Sequence, residues 1–498
     1  MSSYNSVNGA FLGENHPLLT DVLRDEWGYD GFVTSDWVFG VHDGVESLKA
    51  GLDVEMPALL YRQKLPEALR QGRISRDLVR ASARRIVRTF IKYGAERDEA
   101  EPTASVIAGA GHRALAREVA AAGMVLLKNG AVNGVPLLPL APATKRIAVI
   151  GHLATEENMG DHGSSLVSPP SSSTPLDGLR EVLPGVQIDY ADGTDAAAAA
   201  ALAASADLAI MVVGMDWDDE GERVTNEEFD LSVFGFPFTI GAVRWLISKL
   251  PRPKTQFGKG GDRESLTLHT ADEDLIARVV AANPKTVVVT IGGSAILMEN
   301  WRHTVPAILM AWYPGMEGGR ALADVITGAR EPAGRLPLSI ATSSEHLPFF
   351  DAEATSIRYD EWWGQRMLDR DGHEAAYPFG FGLGYTTFEV ELVGHSTEIE
   401  TGVARVRVRN TGSRRGSAVP QLYAADAALP RPIPQLLGFG RVELEPGAET
   451  EIEVALDLTP TRQRDPQTKS WSPRPGTWQI VVAQHSPADM TGSVSLAR

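Results

Sequence analysis

Two features of this chain have the residue types and spacing for chemistry: a carboxylate beside an indole, and a crowded acidic loop. In "DGFVTSDW", residues 30–37, the turn Asp30-Gly31 leads into a short apolar run of Phe32, Val33 and Thr34. That run ends at Ser35-Asp36-Trp37. With 64 acids in the chain, an Asp after a strand is ordinarily a cap or turn residue. Parallel α/β proteins, however, carry their chemistry at the C-terminal ends of strands. An indole there offers a flat face for the C–H side of a pyranose. One carboxylate can attack a sugar but cannot also protonate its leaving group, so glycoside hydrolysis requires two. "MVVGMDWDDEGERVTNEEFD", residues 211–230, offers the second in Asp216, Asp218, Asp219, Glu220, Glu222, Glu227 and Glu228. A solvated acidic loop and a calcium loop are the alternatives, although the spacing is not that of an EF-hand. Like charges so crowded are expected to raise some of these carboxyls, as a general acid requires.

The elements that must position these groups fall into three regions. In the first, about 1–100, "HPLLTDVLRDEWG" reads as a helix with Pro17 in its first turn and Gly28 closing it. The strand "GFVTSDW", the helical "GVESLKA", the strand "GLDVEMP" and the long helical "SRDLVRASARRIVRTFIKYG" follow. Strand and helix alternate, which predicts parallel βα units. In the second region, 101–388, "RIAVIG", "DLAIMVVG", "KTVVVTIGG" and "AILMAWYPG" are continuous apolar runs, as in parallel strands buried on both faces. "IAVIGHLA" lacks the spaced glycines of a dinucleotide fold and reads as a plain buried strand. In the third region, 389–498, "VARVRVRNTG" alternates strictly. Short strands with Gly, Pro and Asn turns then predict a β-sandwich.

Composition narrows the class. The formal charge of −17 over 498 residues argues against nucleic acid and anionic membranes as partners. With 43% hydrophobic residues the chain can build real cores. Zero cysteines remove disulfides, Cys-ligated zinc, iron–sulfur clusters and thiol nucleophiles. No apolar run reaches the length of a membrane span. "MSSYNSVNGAFLGE" has neither the basic start nor the apolar core of a signal peptide, and the negative charge favours the cytoplasm.

Together "MSSYNSVNG", "LLTDVLRDEWGYDGFVTSDW", "AGLDVEMP", "MGDHGSS", "GGDRESLTL", "PAILMAWYPGMEGGRALADVITG", "PAGRLPLSI" and "YPFGFGLGYTTF" resemble glycoside hydrolase family 3, the β-glucosidases and β-xylosidases. "NTGSRRGSAVPQLY" and "LLGFGRVELEPG" are similar to that family's fibronectin-III-like domain. The resemblance covers essentially the whole chain. It implies a (β/α)8 barrel, an α/β sandwich domain and a fibronectin-III-like domain, with the active site between the first two. It implies further that Asp36 is the nucleophile, that Trp37, Met1 and Tyr4 line the −1 subsite, and that Tyr4 holds an oxygen of the nucleophile. Ser164 in "GDHGSS" is a further contact from the second domain. The acid/base of the family precedes a Gly, which points to Glu220-Gly221. An insertion at 222–261 leaves Glu222 as a rival and Glu227 or Glu228 behind it. The chemistry implied is a retaining, exo-acting double displacement on a β-linked glycoside or oligosaccharide, with no metal or organic cofactor.

A complete barrel takes roughly 250 residues, and only about 100 precede the second region here. By its motifs the chain is expected to start at about the sixth barrel strand and to keep three. The family's upstream Lys-His pair, Arg and glycone-gripping Asp have no substitute in the first 100 residues. An open barrel edge calls for a cover, either a homo-oligomer or a complementing N-terminal chain. Weak activity of the chain alone is expected, because remote sugar contacts contribute to transition-state binding. A non-catalytic carbohydrate-binding or interaction protein derived from such an enzyme is the alternative.

Overall fold

Valine, isoleucine and leucine in unbroken runs build the central sheet. In the computed structural model, which describes residues 1–94, 103–160, 162–221, 240–242, 263, 265–351, 354–398 and 400–496, six strands form it. Their order is Val125–Asn129, Ala307–Met310, Thr286–Ile291, Leu208–Gly214, Arg146–Ile150 and Gln187–Ala191. Every residue of Leu208–Gly214, Thr286–Ile291 and Ala307–Met310 is buried, as strands covered on both faces require. All neighbours pair in parallel except Val125–Asn129, which runs antiparallel along the edge. Both Gln187–Ala191 and the reversed direction of Val125–Asn129 go beyond the sequence reading.

Helices cover this sheet, each started by local chemistry. Asp195 accepts the Ala197 and Ala198 N–H groups to cap Ala196–Ala204, and Thr174 accepts Asp177 N–H ahead of Pro175–Val182. Pro175–Val182 and Gly318–Thr327 meet backbone to backbone. A Cβ on Gly319 would stand 1.8 Å from the Thr174 carbonyl oxygen.

By its internal contacts the chain forms two compact units, with Met1–Ala104 the body of the first and Ser105–Arg223 with Gln256–Arg498 that of the second. In the first unit the strands Thr34–Trp37 and Val54–Met56 pair in parallel, and Ser2 N–H donates to the Thr34 carbonyl at 2.8 Å. Two expected elements are present and differ in detail. The strand spans Thr34–Trp37 rather than all of "GFVTSDW", because backbone pairing with Val54–Met56 sets its extent. Pro17–Glu26 is a helix of the wider π type, with Trp27 N–H reaching back five residues to the Val22 carbonyl. Gly44–Ala50 is capped by Asp43 and closed by Gly51 at φ 107°, and Arg76–Gly94 ends the unit.

The C-terminal β-sandwich sets Phe388–Thr397, Thr401–Asn410 and Glu449–Asp457 against a sheet centred on Gln421–Asp426 and Trp478–Ala483. Thr401–Asn410 buries Ala404, Val406 and Val408 and turns Arg405 and Arg409 outward. Glu331 joins this sandwich to the α/β domain. Its two oxygens accept Tyr385 N–H at 2.9 Å and Ser417 N–H at 2.6 Å. Side chains at Gly384 or Gly416 would strike it. Among the described residues no helix is long and apolar enough to cross a membrane.

Candidate active site

Asp36 sits on a strand whose floor is a buried charge cluster. The Asp53 side chain is 0% exposed. It accepts Val33 N–H at 2.9 Å, Arg24 Nη2 at 2.7 Å and Arg85 Nη2 at 2.6 Å. Arg24 reaches on to the carbonyls of Gly31 and Gly51. Burial pulls the Arg24 guanidinium down and Asp53 opposes it. The base of the strand is thereby fixed three residues before Asp36. Sequence reading missed Asp53; its one signal is an acid inside the otherwise apolar "GLDVEMP".

At the other end of the strand, Trp37 N–H donates to Asp36 Oδ1 at 2.8 Å, which holds the carboxylate plane. The Ser35 hydroxyl donates to the Asp36 carbonyl at 2.8 Å and accepts Met56 N–H at 2.9 Å, tying the residue to the next strand. Val38, β-branched, is held at φ 64°, a conformation such residues avoid and one that clusters at functional sites. A Cβ on Gly40 would lie 2.8 Å from both the N and the O of Asp36, so the backbone passes there at the closest approach glycine allows.

The indole of Trp37 stays 55% exposed, and Tyr4 and Met1 are 41% and 80% exposed. The Tyr4 hydroxyl donates to the Trp37 carbonyl at 2.8 Å, one residue beyond Asp36. Of the residues singled out from sequence, Tyr4, Asp36 and Trp37 are therefore gathered at one strand end. Met1 precedes Ser2, whose N–H pairs with that same strand.

The acidic loop begins where Leu208–Gly214 ends. Asp216 caps the single turn Trp217–Glu220, and Asp216 and Asp219 form a reciprocal capping box. Glu220 is 12% exposed and Arg263 8%. Its Oε2 accepts the Tyr313 hydroxyl and Gly293 N–H, each at 2.7 Å, and Arg263 Nε stands 3.3 Å from Oε1. Burial first, then the bond to Glu220, pushes the Tyr313 phenol well above its ordinary range, so it stays a donor. Trp312, the residue before it, is held at φ 60°.

Crowding does not act on Asp216 as the sequence suggested. The His152 imidazole facing it holds its carboxyl below the usual range. Glu222, Glu227, Glu228 and almost all of the 222–261 insertion lie outside the described residues. Ser164 is exposed in a turn of the second unit. Among the described residues no group of three or more His, Asp or Glu could hold a metal ion. Arg263 and Tyr313 also went unnoticed in the sequence. The "WYPG" after a buried strand was a signal for Tyr313, whereas Arg263 lies 43 residues from Glu220 with nothing local to mark it.

Comparison with known proteins gives this architecture its class. Residues 1–89 match the glycosyl hydrolase family 3 N terminal domain, 124–385 the glycosyl hydrolase family 3 C-terminal domain, and 418–486 the fibronectin type III-like domain. A β-glucosidase of Bacteroides ovatus is 30% identical over 99% of this chain and 68% of its own length. An exo-α-(1→6)-L-arabinopyranosidase of Bifidobacterium breve is 31% identical over 100% of this chain and 63% of its own. Among solved structures, the family 3 β-glucosidase of Bifidobacterium adolescentis superposes with a TM-score of 0.78 at 30% identity, over 99% of this chain and 68% of that one. The chain belongs to glycosyl hydrolase family 3 and is a glycosidase.

Proposed function

We propose that this chain cleaves β-linked glycosides from their non-reducing end with retention of configuration, Asp36 serving as nucleophile and Glu220 as acid/base. The observation that carries the reading is the strand end. There the Asp36 carboxylate is oriented by Trp37 N–H while the neighbouring indole lies open to a sugar ring. In the first step an Asp36 oxygen bonds to the anomeric carbon as the bond to the departing oxygen breaks, and Glu220 supplies that oxygen's proton. Glu220 Oε2 is committed to Tyr313 and Gly293, so the transferable proton belongs on Oε1. In the second step Glu220 takes a proton from water, which attacks the anomeric carbon and frees Asp36 and the sugar. Trp37, Tyr4 and Met1 would face the ring of the bound glycone, with Ser164 a further contact.

The test is turnover of an aryl β-glucoside and an aryl β-xyloside by the purified chain. Asp36→Asn should abolish it. Glu220→Gln should lower it by about 10²–10⁴-fold, with most of the loss on poor leaving groups and recovery with azide. Sugar binding without turnover, unchanged by Asp36→Asn, would instead identify a carbohydrate-binding protein.

A further inference from the structure

The turn Trp217–Glu220 contains no buried residue, and four residues do not hold a helical turn by themselves. Polar contacts must place it. Glu220 anchors its last residue through Tyr313, Gly293 and Arg263. At its first residues, the two carboxylates of the capping box are each clasped a second time. Asp216 gives Oδ1 to Asp218 N–H at 2.7 Å and faces His152 Nε2 with Oδ2 at 3.8 Å. Asp219 gives Oδ2 to Asp216 N–H at 3.1 Å and Oδ1 to His269 Nε2 at 2.8 Å. Two histidines thus close a ring of side chains around the turn.

The sheet puts them there. His152 lies two residues past Arg146–Ile150 and Asp216 two residues past Leu208–Gly214, neighbouring parallel strands at which the chain order reverses direction. A crevice opens at such a point. His269 precedes Thr270–Ala282 as its N-cap residue.

Acidic side chains face these imidazoles. Asp216, Asp272, Glu156 and Asp192 face His152, and Asp219 and Asp272 face His269. Asp272 interacts with both histidines. Burial pushes its carboxyl up while both imidazoles pull it down, and its Oδ2 is buried with no partner among the described residues. The Asp216 carboxylate facing it raises His152 above the ordinary histidine range.

We propose that His152 and His269 are positioning residues that hold the turn that presents Glu220, and that the turn loosens as the His152 imidazole loses its charge. The placement of the turn stands on its own contacts; its bearing on turnover rests on reading Glu220 as the acid/base. A protonated His152 faces an Asp216 carboxylate that stays charged. As pH rises through the elevated His152 range, the clasp on Asp216 weakens and the start of the turn keeps only the capping box and His269.

Hydrogen exchange of the backbone over 216–221 in the full chain, corrected for the intrinsic rate, decides this without requiring activity. Measurements at about pH 5.5 and about pH 8.5 bracket histidine titration. These pairs are part exposed and screened, so protection should fall roughly tenfold between the two pH values. A His152→Gln/His269→Gln chain should show the lower protection at both, with Leu208–Gly214 unchanged. Wild-type protection that is indifferent to pH overturns the proposal, whether or not the variant folds. So does a folded variant with wild-type protection. If protection behaves as expected but azide fails to rescue Glu220→Gln, the acid/base assignment falls and the positioning role of the histidines stands.

Discussion

The Tyr313 hydroxyl donates to Glu220 Oε2 at 2.7 Å from a backbone whose preceding residue, Trp312, is held at φ 60°. A bulky residue rarely occupies that region, and such conformations cost about 1–3 kcal/mol. Here the indole Nε1 secures it by donating to the Gly123 carbonyl at 3.0 Å. Removing the phenol hydroxyl alone should leave this scaffold standing. Tyr313→Phe is expected to lower kcat by roughly tenfold, the worth of one hydrogen bond to a charged group, with little change in KM or melting temperature. Steady-state kinetics beside a thermal melt would separate this from a folding defect.

Gly40→Ala tests how tightly Asp36 is held. The new methyl would meet the N and O of Asp36 at 2.8 Å, both backbone atoms that cannot swing aside. Overpacking of this kind costs about 1–3 kcal/mol. The expected result is faster hydrogen exchange over 34–40 and a loss of turnover, with the β-sandwich unaffected.

Asp53→Asn should be among the most damaging single changes in the first unit. It leaves Arg24 and Arg85, at 11% and 20% side-chain exposure, facing each other without their shared carboxylate. Breaking a buried ion pair by removing one partner costs about 3–5 kcal/mol. Chemical denaturation followed through the tryptophans would show an earlier transition in the first unit. An unchanged midpoint would mean that the cluster contributes nothing net.

Asp369 gives a pH signature apart from the candidate site. Its Oδ1 accepts the Gln365 side-chain amide at 2.8 Å and its Oδ2 is buried without a partner among the described residues. Burial pushes the carboxyl up to about 6. The folded chain therefore holds this proton more tightly than the unfolded one. Its stabilising contribution is complete below the ordinary carboxylate range and is lost as pH rises through about 6. Asp369→Asn should flatten that part of the stability–pH curve and raise the melting temperature at neutral pH.

Much of the scaffold was legible because its signals are local. The runs Arg146–Ile150, Leu208–Gly214, Thr286–Ile291 and Ala307–Met310 are continuous and apolar, and each became a buried strand. The direction of Val125–Asn129 was not legible, since an apolar run reads alike in a parallel or an antiparallel partner. Pro17–Glu26 satisfies a helical period and a first-turn proline whether the winding is α or π. Asp36 and Glu220 stood out by motif. Their supports did not, because Asp53, Arg263, Tyr313 and the two histidines are brought in by strand order. None carries a mark beside the residue it serves.

The joint at Glu331 bears on how the molecule comes into being. A ribosome making this chain finishes the α/β domain's last strand, Ala375–Tyr377, some 40 residues before it reaches Ser417. Until then one oxygen of a carboxyl that burial already disfavours in its charged form has lost its backbone donor. The nascent α/β domain is thus left with an open polar seam. Its closing waits on the first strands of the sandwich, so the domain made next completes the one that carries Glu220.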